Sequence, residues 1–303
     1  MGADVAAAYP AARLLYERAS EILGYDLLRL CREGPEERLR ETEFSQPAIF
    51  VTNCALASAA GGEDGASWAV ASAGHSFGEY CSLVLSGALE FDDALRLVNV
   101  RGIAMQHAAE QAAGAMAAVL GLDAKTIERS VEAARSEGAG RVTLANFNTP
   151  AQIVISGDAL AVRRAGELCL GAGAKRVVPL NVSGAWHSEL MQPAVPIFAP
   201  ELEKTNVRTP RFTVVSNVDA QPYRDVERIR RNLVRSLTAE VLWHATAVRL
   251  LEERLDLLVE CGASPVLAPM LKRLSGAPEV TSVCDRSGVD KLRARLSSVA
   301  VAK

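Results

Sequence analysis

The chain predicts an α/β fold: a mostly parallel sheet covered by helices, with a small ferredoxin-like βαββαβ unit inserted into it. Three observations predict it. Strand-like and helix-like stretches alternate in both halves of the chain. The order strand, helix, strand, strand, helix, strand occurs once, between Gly114 and Val182. The third is Gly74-His75-Ser76-Phe77-Gly78, a Gly-x-Ser-x-Gly sequence between an apolar stretch and a helical one. That is the context of a strand turning sharply into a helix.

Composition bounds the rest. The 303 residues permit one large domain or two smaller ones, and 49% hydrophobic residues can fill a sizeable core. A net charge of −3 gives no case for a nucleic-acid surface. No apolar run reaches the ~18 residues of a membrane helix. The start, Met1-Gly2-Ala3-Asp4, lacks the basic and apolar stretches of a signal peptide. The six cysteines are scattered with no Cys-x-x-Cys pair. Such usage implies reduced thiols in a cytoplasmic protein, with neither disulfides nor a metal site.

Residues 4–31 are helical in pattern, with Gly24 as a stop and Asp26 as a new start. Pro35 opens a further turn. Ser45-Gln46-Pro47 introduces an apolar helix from Ala48 to Ala60, too hydrophobic for the surface. Gly61 to Gly65 is a loop. Trp68 to Ala73 is a short buried strand, and Glu79 to Leu85 the helix after the turn. Phe91 to Gln106 is amphipathic and carries Arg101. The inserted unit has strands at Gly114–Gly121, Arg141–Asn146, Gln152–Ser156 and Lys175–Val182, and helices at Thr126–Glu137 and Ala159–Gly171. Gly171-Ala172-Gly173-Ala174-Lys175 follows a helix and leads into a strand. That is the wrong order for a phosphate loop. Beyond the insert come a strand at Phe212–Ser216, helices at Asp225–Leu237 and Trp243–Arg254, a strand at Leu257–Cys261 and a helix at Leu267–Leu274. The large unit is thus expected over 1–112 and 185–303, and the small one over 113–184.

The chemistry starts at Ser76. At the tip of such a turn its hydroxyl is exposed near a helix N-terminus, where free backbone N–H groups can hold an oxyanion. A serine hydroxyl needs a base. His75 is adjacent, but neighbouring side chains at a sharp turn point apart. His107 and His244 lie in helical patterns and carry no local signal. His187, in Ser183-Gly184-Ala185-Trp186-His187-Ser188 at the junction of the two units, is the expected base. A carboxylate or a backbone carbonyl serves equally to orient its ring. Arg101 reads either as a solvated helix charge or as a guanidinium fork for a carboxylate.

Gly74 to Tyr80, together with Arg101-Gly102-x-x-Met105, resembles the malonyl-CoA:acyl carrier protein transacylases and polyketide synthase acyltransferase domains. So do Gly114 to Ala118, Asn146-Phe147-Asn148-Thr149-Pro150, and Gly184-Ala185-Trp186-His187-Ser188-x-Leu190-Met191. The resemblance runs from Met1 to about Leu274. It implies an α/β-hydrolase-like large subdomain with a ferredoxin-like insert. It implies that Ser76 takes malonyl from malonyl-CoA while His187 accepts the proton, and that an acyl carrier protein thiol then receives the group. No bound cofactor or metal is implied, and a monomer is expected. By the same resemblance Arg101 pairs with the malonyl carboxylate, the Phe77 N–H is one oxyanion donor, and the backbone carbonyl of Ser236 orients His187. Gln46, His75, Met105, Asn148 and Trp186 then line the acyl pocket, with Trp186 leaving little room for a 2-methyl branch.

The resemblance also marks a departure. Members of that family begin with a strand ending in a Gly-Gln-Gly-Ser-Gln turn, and this chain begins in register just after it. The first strand is therefore expected to be missing, with its second oxyanion donor, and Met1 to be an internal methionine. Each buried apolar side chain contributes roughly 1.5–3 kcal/mol, and one oxyanion donor about 10²–10³ in kcat. The chain as written is expected to be unstable or nearly inactive. Two other functions fit less well. An acyl hydrolase has no use for a carboxylate anchor at Arg101, and an inactive carrier-protein-binding relative is favoured only if the loss of the first strand is real. Arg228-Ile229-Arg230-Arg231 and Lys272-Arg273 read as either a face for an acidic carrier or solvated helix charges.

Overall fold

The computed structural model describes residues 1–61 and 68–301. Five helices open the chain: α1 (Ala3–Ala8), α2 (Pro10–Leu23), α3 (Leu27–Glu33), α4 (Glu36–Arg40) and α5 (Thr42–Gly61). The expected punctuation holds. Gly24, at φ 76°, ends α2, and the Asp26 carboxylate accepts from the Arg29 N–H to start α3. Helix α5 is longer than its apolar stretch. Pro47 lies inside it, and Thr42–Pro47 adds a turn and more before Ala48. Close packing outweighs the proline's lost hydrogen bond. The extension lies against Gly102, where an added Cβ would sit 2.9 Å from the Thr42 carbonyl oxygen. Of the Gly61–Gly65 loop, Gly61 ends α5 and the remainder lies outside the described residues.

Strand β1 (Ala71–Ser72) leads to α6 (Gly78–Leu85) and α7 (Phe91–Gln111). Next come β2 (Gly114–Leu120), α8 (Ala124–Ser136), β3 (Val142–Thr149), β4 (Gln152–Asp158), α9 (Ala159–Gly171) and β5 (Arg176–Pro179). These four strands form one sheet in the order β3-β4-β2-β5, antiparallel throughout. Gly114 stands opposite Asp158 and Leu120 opposite Gln152. Alternate strand residues such as Val119, Ile153 and Ile155 pack on Ile127, Val131 and Val162 of α8 and α9.

The chain returns through a 3₁₀ turn (Glu189–Ala194), α10 (Val195–Lys204), β6 (Thr213–Val214), α11 (Val226–Arg235), α12 (Trp243–Leu251), β7 (Leu257–Cys261), α13 (Ala268–Leu271), β8 (Glu279–Val283) and α14 (Arg286–Val301). The sequence reading missed the 3₁₀ turn and α10, where Pro193, Pro196 and Pro200 mask the helical period. It also missed β8 and α14.

The expected mostly parallel sheet of the large unit is divided. Among the described residues its strands form two separate parallel pairs, β1–β6 and β7–β8, while the antiparallel four-strand sheet belongs to the insert. The strand expected over Trp68–Ala73 shrinks to two residues because β6 matches it only at Thr213 and Val214. A cavity of about 740 Å³ lies between Trp68–His75 and Leu257–Ser264, roofed by α5 and α6. Among the described residues neither β1 nor β7 has a second strand partner, so each turns one edge toward this space.

Unpaired edges exchange backbone hydrogens readily. Amides of Ala71–Ala73 and Leu257–Cys261 are therefore expected to exchange faster, as a set, than those of Ile153–Ser156 in β4, which is paired on both sides. Hydrogen-exchange mass spectrometry checks this; equal protection would contradict the divided sheet.

Candidate active site

The serine turn is built by close backbone approach. Ser76 has φ 53°, in the left-handed region. A Cβ on Gly74 would lie 2.0 Å from the Gly78 carbonyl carbon, so only glycine fits there. The second glycine serves differently from the first: a Cβ on Gly78 would meet nothing within 4 Å. Its own backbone is the surface that Gly74 must approach. Phe77 precedes the first turn of α6, and among the described residues its N–H has no hydrogen-bond partner. A free donor beside the nucleophile fits an oxyanion site.

His187 arrives from a position 111 residues away. Its Nε2 is 2.7 Å from Ser76 Oγ. Its Nδ1–H donates to the Ala239 carbonyl at 3.2 Å, which leaves the Nε2 lone pair facing the serine hydroxyl. Ala239 thus joins Ser236, the carbonyl expected to orient the ring. α11 ends just before Ser236, and the turn after it carries the Ala239 oxygen to the ring. The Ser236 carbonyl faces the imidazole as well, and both carbonyls favour its charged form. Burial nevertheless pushes the His187 pKa down to about 3, assisted by the positive charge of Arg101 and by His75. The ring is 3% exposed.

Arg101, on α7, is 1% exposed. Its Nη1 donates to Gln46 Oε1 at 2.6 Å, and its Nη2 lies 3.5 Å from Ser76 Oγ. Nε has no partner, and among the described residues no carboxylate forms an ion pair with this guanidinium. Burial lowers its pKa. Gln46 reaches Arg101 because α5 extends past Pro47 and crosses α7 at Gly102. The Gln46 amide also donates to Met105 Sδ at 3.6 Å.

The five residues expected around the acyl group therefore divide. Gln46 and Met105 gather at Arg101. His75 and Asn148 instead pair with each other, Nε2 to Oδ1 at 2.9 Å, and line the cavity between β1 and β7 beside Trp243. Burial lowers the His75 pKa. Trp186 is half-buried against Met116, Ala118, Ala145 and Val154. His107 lies on the exposed side of α7 near Gln111. Two arginines of the Arg228–Arg231 run are engaged within the chain. Arg228 pairs with Asp219 at 2.9 Å, and Arg230 donates to the Leu202 and Thr205 carbonyls. All six cysteines are free.

Two participants escaped sequence reading. Ala239 acts through its backbone, which no side-chain pattern betrays. Asn217 accepts from the Ser76 N–H at 3.1 Å; its one signal is its place just after β6, at the carboxyl end of a parallel strand.

A strained serine, a neutral imidazole aimed at it and an uncompensated buried guanidinium define the serine-dependent acyl-transfer class of enzymes. The chain belongs to the acyl transferase domain family, which matches residues 1–285. It is 40% identical over 286 residues to a malonyl CoA-acyl carrier protein transacylase of Haemophilus influenzae, covering 94% of this chain and 91% of that protein. The protein of the same name from Escherichia coli K12 is 42% identical over 274 residues, with 90% and 88% covered. Among solved structures, a malonyl-transacylase in complex with its type II polyketide synthase acyl-carrier protein superposes with a TM-score of 0.92. It is 38% identical, and 97% of this chain and 94% of that one are covered.

An imidazole with its pKa near 3 stays neutral across the physiological range. In the ligand-free protein the His187 ring is expected to show no NMR chemical-shift inflection between pH 5 and 8. In the unfolded chain the ring titrates at about 6.5. Its contribution to stability is thus fully present above that value and lost as pH falls toward 3. A ring that titrates near neutrality would contradict the geometry.

Proposed function

We propose that the chain moves a malonyl group from malonyl-CoA to the phosphopantetheine thiol of an acyl carrier protein, through a malonyl ester on Ser76. One observation carries this function: Ser76 Oγ lies between His187 Nε2, at 2.7 Å, and Arg101 Nη2, at 3.5 Å. The nucleophile, its base and an anchor for a substrate carboxylate meet at a single oxygen.

The steps follow from that geometry. The malonyl carboxylate pairs with Arg101, which sets the thioester carbonyl before Ser76. Ser76 Oγ attacks the carbonyl carbon, and its proton passes to His187 Nε2. The Phe77 N–H donates to the developing oxyanion. The carbon–sulfur bond breaks, and the CoA thiolate takes the proton from His187. In the second half the carrier thiol gives its proton to His187 and attacks the ester. The carbon–oxygen bond breaks and Ser76 recovers its hydrogen. The Ala239 and Ser236 carbonyls hold the ring and favour the imidazolium that forms in each half.

Two subdomains frame the site in this reading, 1–112 with 185–303 and 113–184, the first α/β-hydrolase-like and the second ferredoxin-like. The separate core of β2–β5 with α8 and α9 supports this division. His187 then sits just past their junction. The protein acts as a cytoplasmic monomer with no bound cofactor.

Ser76→Ala is expected to abolish acyl-enzyme formation. Arg101→Ala is expected to slow acylation by malonyl-CoA at least ~10-fold, the scale of a charged hydrogen bond, and to narrow the preference over acetyl-CoA. Intact-mass detection of the acyl-serine, with each CoA ester and with or without holo carrier protein, checks both. Persistent malonyl transfer by Ser76→Ala would end the proposal. Trp186 is expected to hold kcat/KM for methylmalonyl-CoA well below that for malonyl-CoA, and comparable values would overturn its role.

A further inference from the structure

Asn217 is 1% exposed and touches both sides of the serine turn. Its Oδ1 accepts from the Ser76 N–H at 3.1 Å. Its Nδ2 donates to the Gly74 carbonyl at 2.7 Å and to the Ser76 carbonyl at 3.2 Å. The same nitrogen lies 2.6 Å from Glu79 Oε2, which the Asn217 backbone N–H approaches at 3.4 Å. The other Glu79 oxygen accepts from the Tyr223 hydroxyl at 2.5 Å. Glu79 itself is 1% exposed. A primary amide has two N–H protons, and here three acceptors share them.

We propose that Asn217, oriented by Glu79 and Tyr223, is a positioning residue for acyl transfer. It pins the Ser76 backbone in the left-handed conformation that aims Oγ at His187. The proposal rests on the acyl-transfer function above. A non-glycine residue at φ 53° persists only where its surroundings hold it. Asn217 contacts the backbone on both sides of that strained residue, through three hydrogen bonds. It also occupies the Ser76 N–H and leaves the Phe77 N–H as the free donor at the turn.

Glu79 reinforces the way the amide faces, which the Gly74 and Ser76 carbonyls and the Ser76 N–H also require. An ionised carboxylate only accepts, so it draws Nδ2 to its own side and leaves Oδ1 for the Ser76 N–H. Turned over, the amide would set Oδ1 against the Gly74 and Ser76 carbonyls and Glu79, and Nδ2 against the serine N–H. A protonated Glu79 has lost its charge and holds Nδ2 less strongly. Burial pushes the Glu79 pKa up to about 7, against the hydrogen bonds from Tyr223 and Asn217. Asp219 raises it further, and Tyr80, Tyr223 and the Arg101 guanidinium complete its ionisable surroundings. The clamp is therefore complete above about pH 7 and loosens below it. His187, with its pKa near 3, does not titrate in that range.

Two single-turnover reactions test this. One is acylation of Ser76 by malonyl-CoA. The other is phosphonylation by a fluorophosphonate probe: the Oγ–P bond forms, P–F breaks, fluoride leaves and the hydroxyl proton passes to His187. Both wild-type rates are expected to rise with pH through about 7. Glu79→Gln, of matching shape, is expected to lose that rise and to be slower at pH 8. Asn217→Ala is expected to react about 100-fold more slowly, the scale of a misplaced reacting atom, with KM for malonyl-CoA unchanged. Asn217→Ala reacting at the wild-type rate would overturn the proposal, as would Glu79→Gln keeping the rise near pH 7. If Asn217→Ala does not fold, the Glu79→Gln profile decides alone. Wild-type protein labelled by the probe but never acylated by malonyl-CoA would sink the proposed function instead, and the probe rates would still judge the clamp.

Discussion

A guanidinium held in a dry site with no ion-pair partner among the described residues is the constraint on which the rest of this structure depends. Arg101 spends two of its nitrogens on Gln46 and Ser76, and its Nε has no partner. Burying a charge without its opposite is unfavourable, and a protein retains such a group where a ligand supplies the missing partner. Several otherwise odd features serve this one side chain. Helix α5 runs through Pro47 to deliver Gln46. Gly102, next in sequence, lets α5 and α7 approach closely enough for that contact. Met105, one turn on from Arg101, closes the far side of Gln46.

The nucleophile is held by the opposite means. Where Arg101 is kept short of partners, the backbone around Ser76 is supplied with them. The N–H and carbonyl of Ser76 and the carbonyl of Gly74 all meet one asparagine amide. Two residues of this site, Ser76 at φ 53° and His187 at φ 58°, sit in a conformation that residues other than glycine rarely adopt. They come from distant parts of the chain and meet at 2.7 Å. Strain on both sides of a single hydrogen bond implies that the surrounding packing, and not local preference, sets that distance.

Much of this was legible in the sequence, for identifiable reasons. The serine turn, the four-strand insert and the pairing of Ser76 with His187 rest on local patterns: two glycines at fixed spacing, alternation of apolar residues, and a shortage of histidines. The acyl-transfer family rested on several motifs in order, and its match over residues 1–285 bears that out. What stayed hidden was contributed by main chain or by distant pairing. The Ala239 carbonyl, which acts on His187 beside that of Ser236, carries no side-chain signature. Asn217 matters for the groups it meets across 141 residues. The Pro47 rule failed because tertiary contact at Gly102 outweighs a local preference. The parallel sheet was read as continuous because each strand pattern was real. Whether two strands become neighbours is not written in either of them.

The proximity of Arg101 to His187 gives the carboxylate of the proposed substrate a second consequence. In the empty site burial, and after it the guanidinium, depresses the imidazole, so the base is weak while no substrate is present. A malonyl carboxylate on Arg101 cancels that positive field, and the ring becomes a better acceptor for the serine proton. In the proposed reaction an acyl group without a carboxylate would lose twice. It would forfeit the pairing with Arg101, and it would leave His187 under an unrelieved charge. Selection therefore acts on proton transfer as well as on binding, through two side chains that both lie within hydrogen-bonding reach of the same serine oxygen.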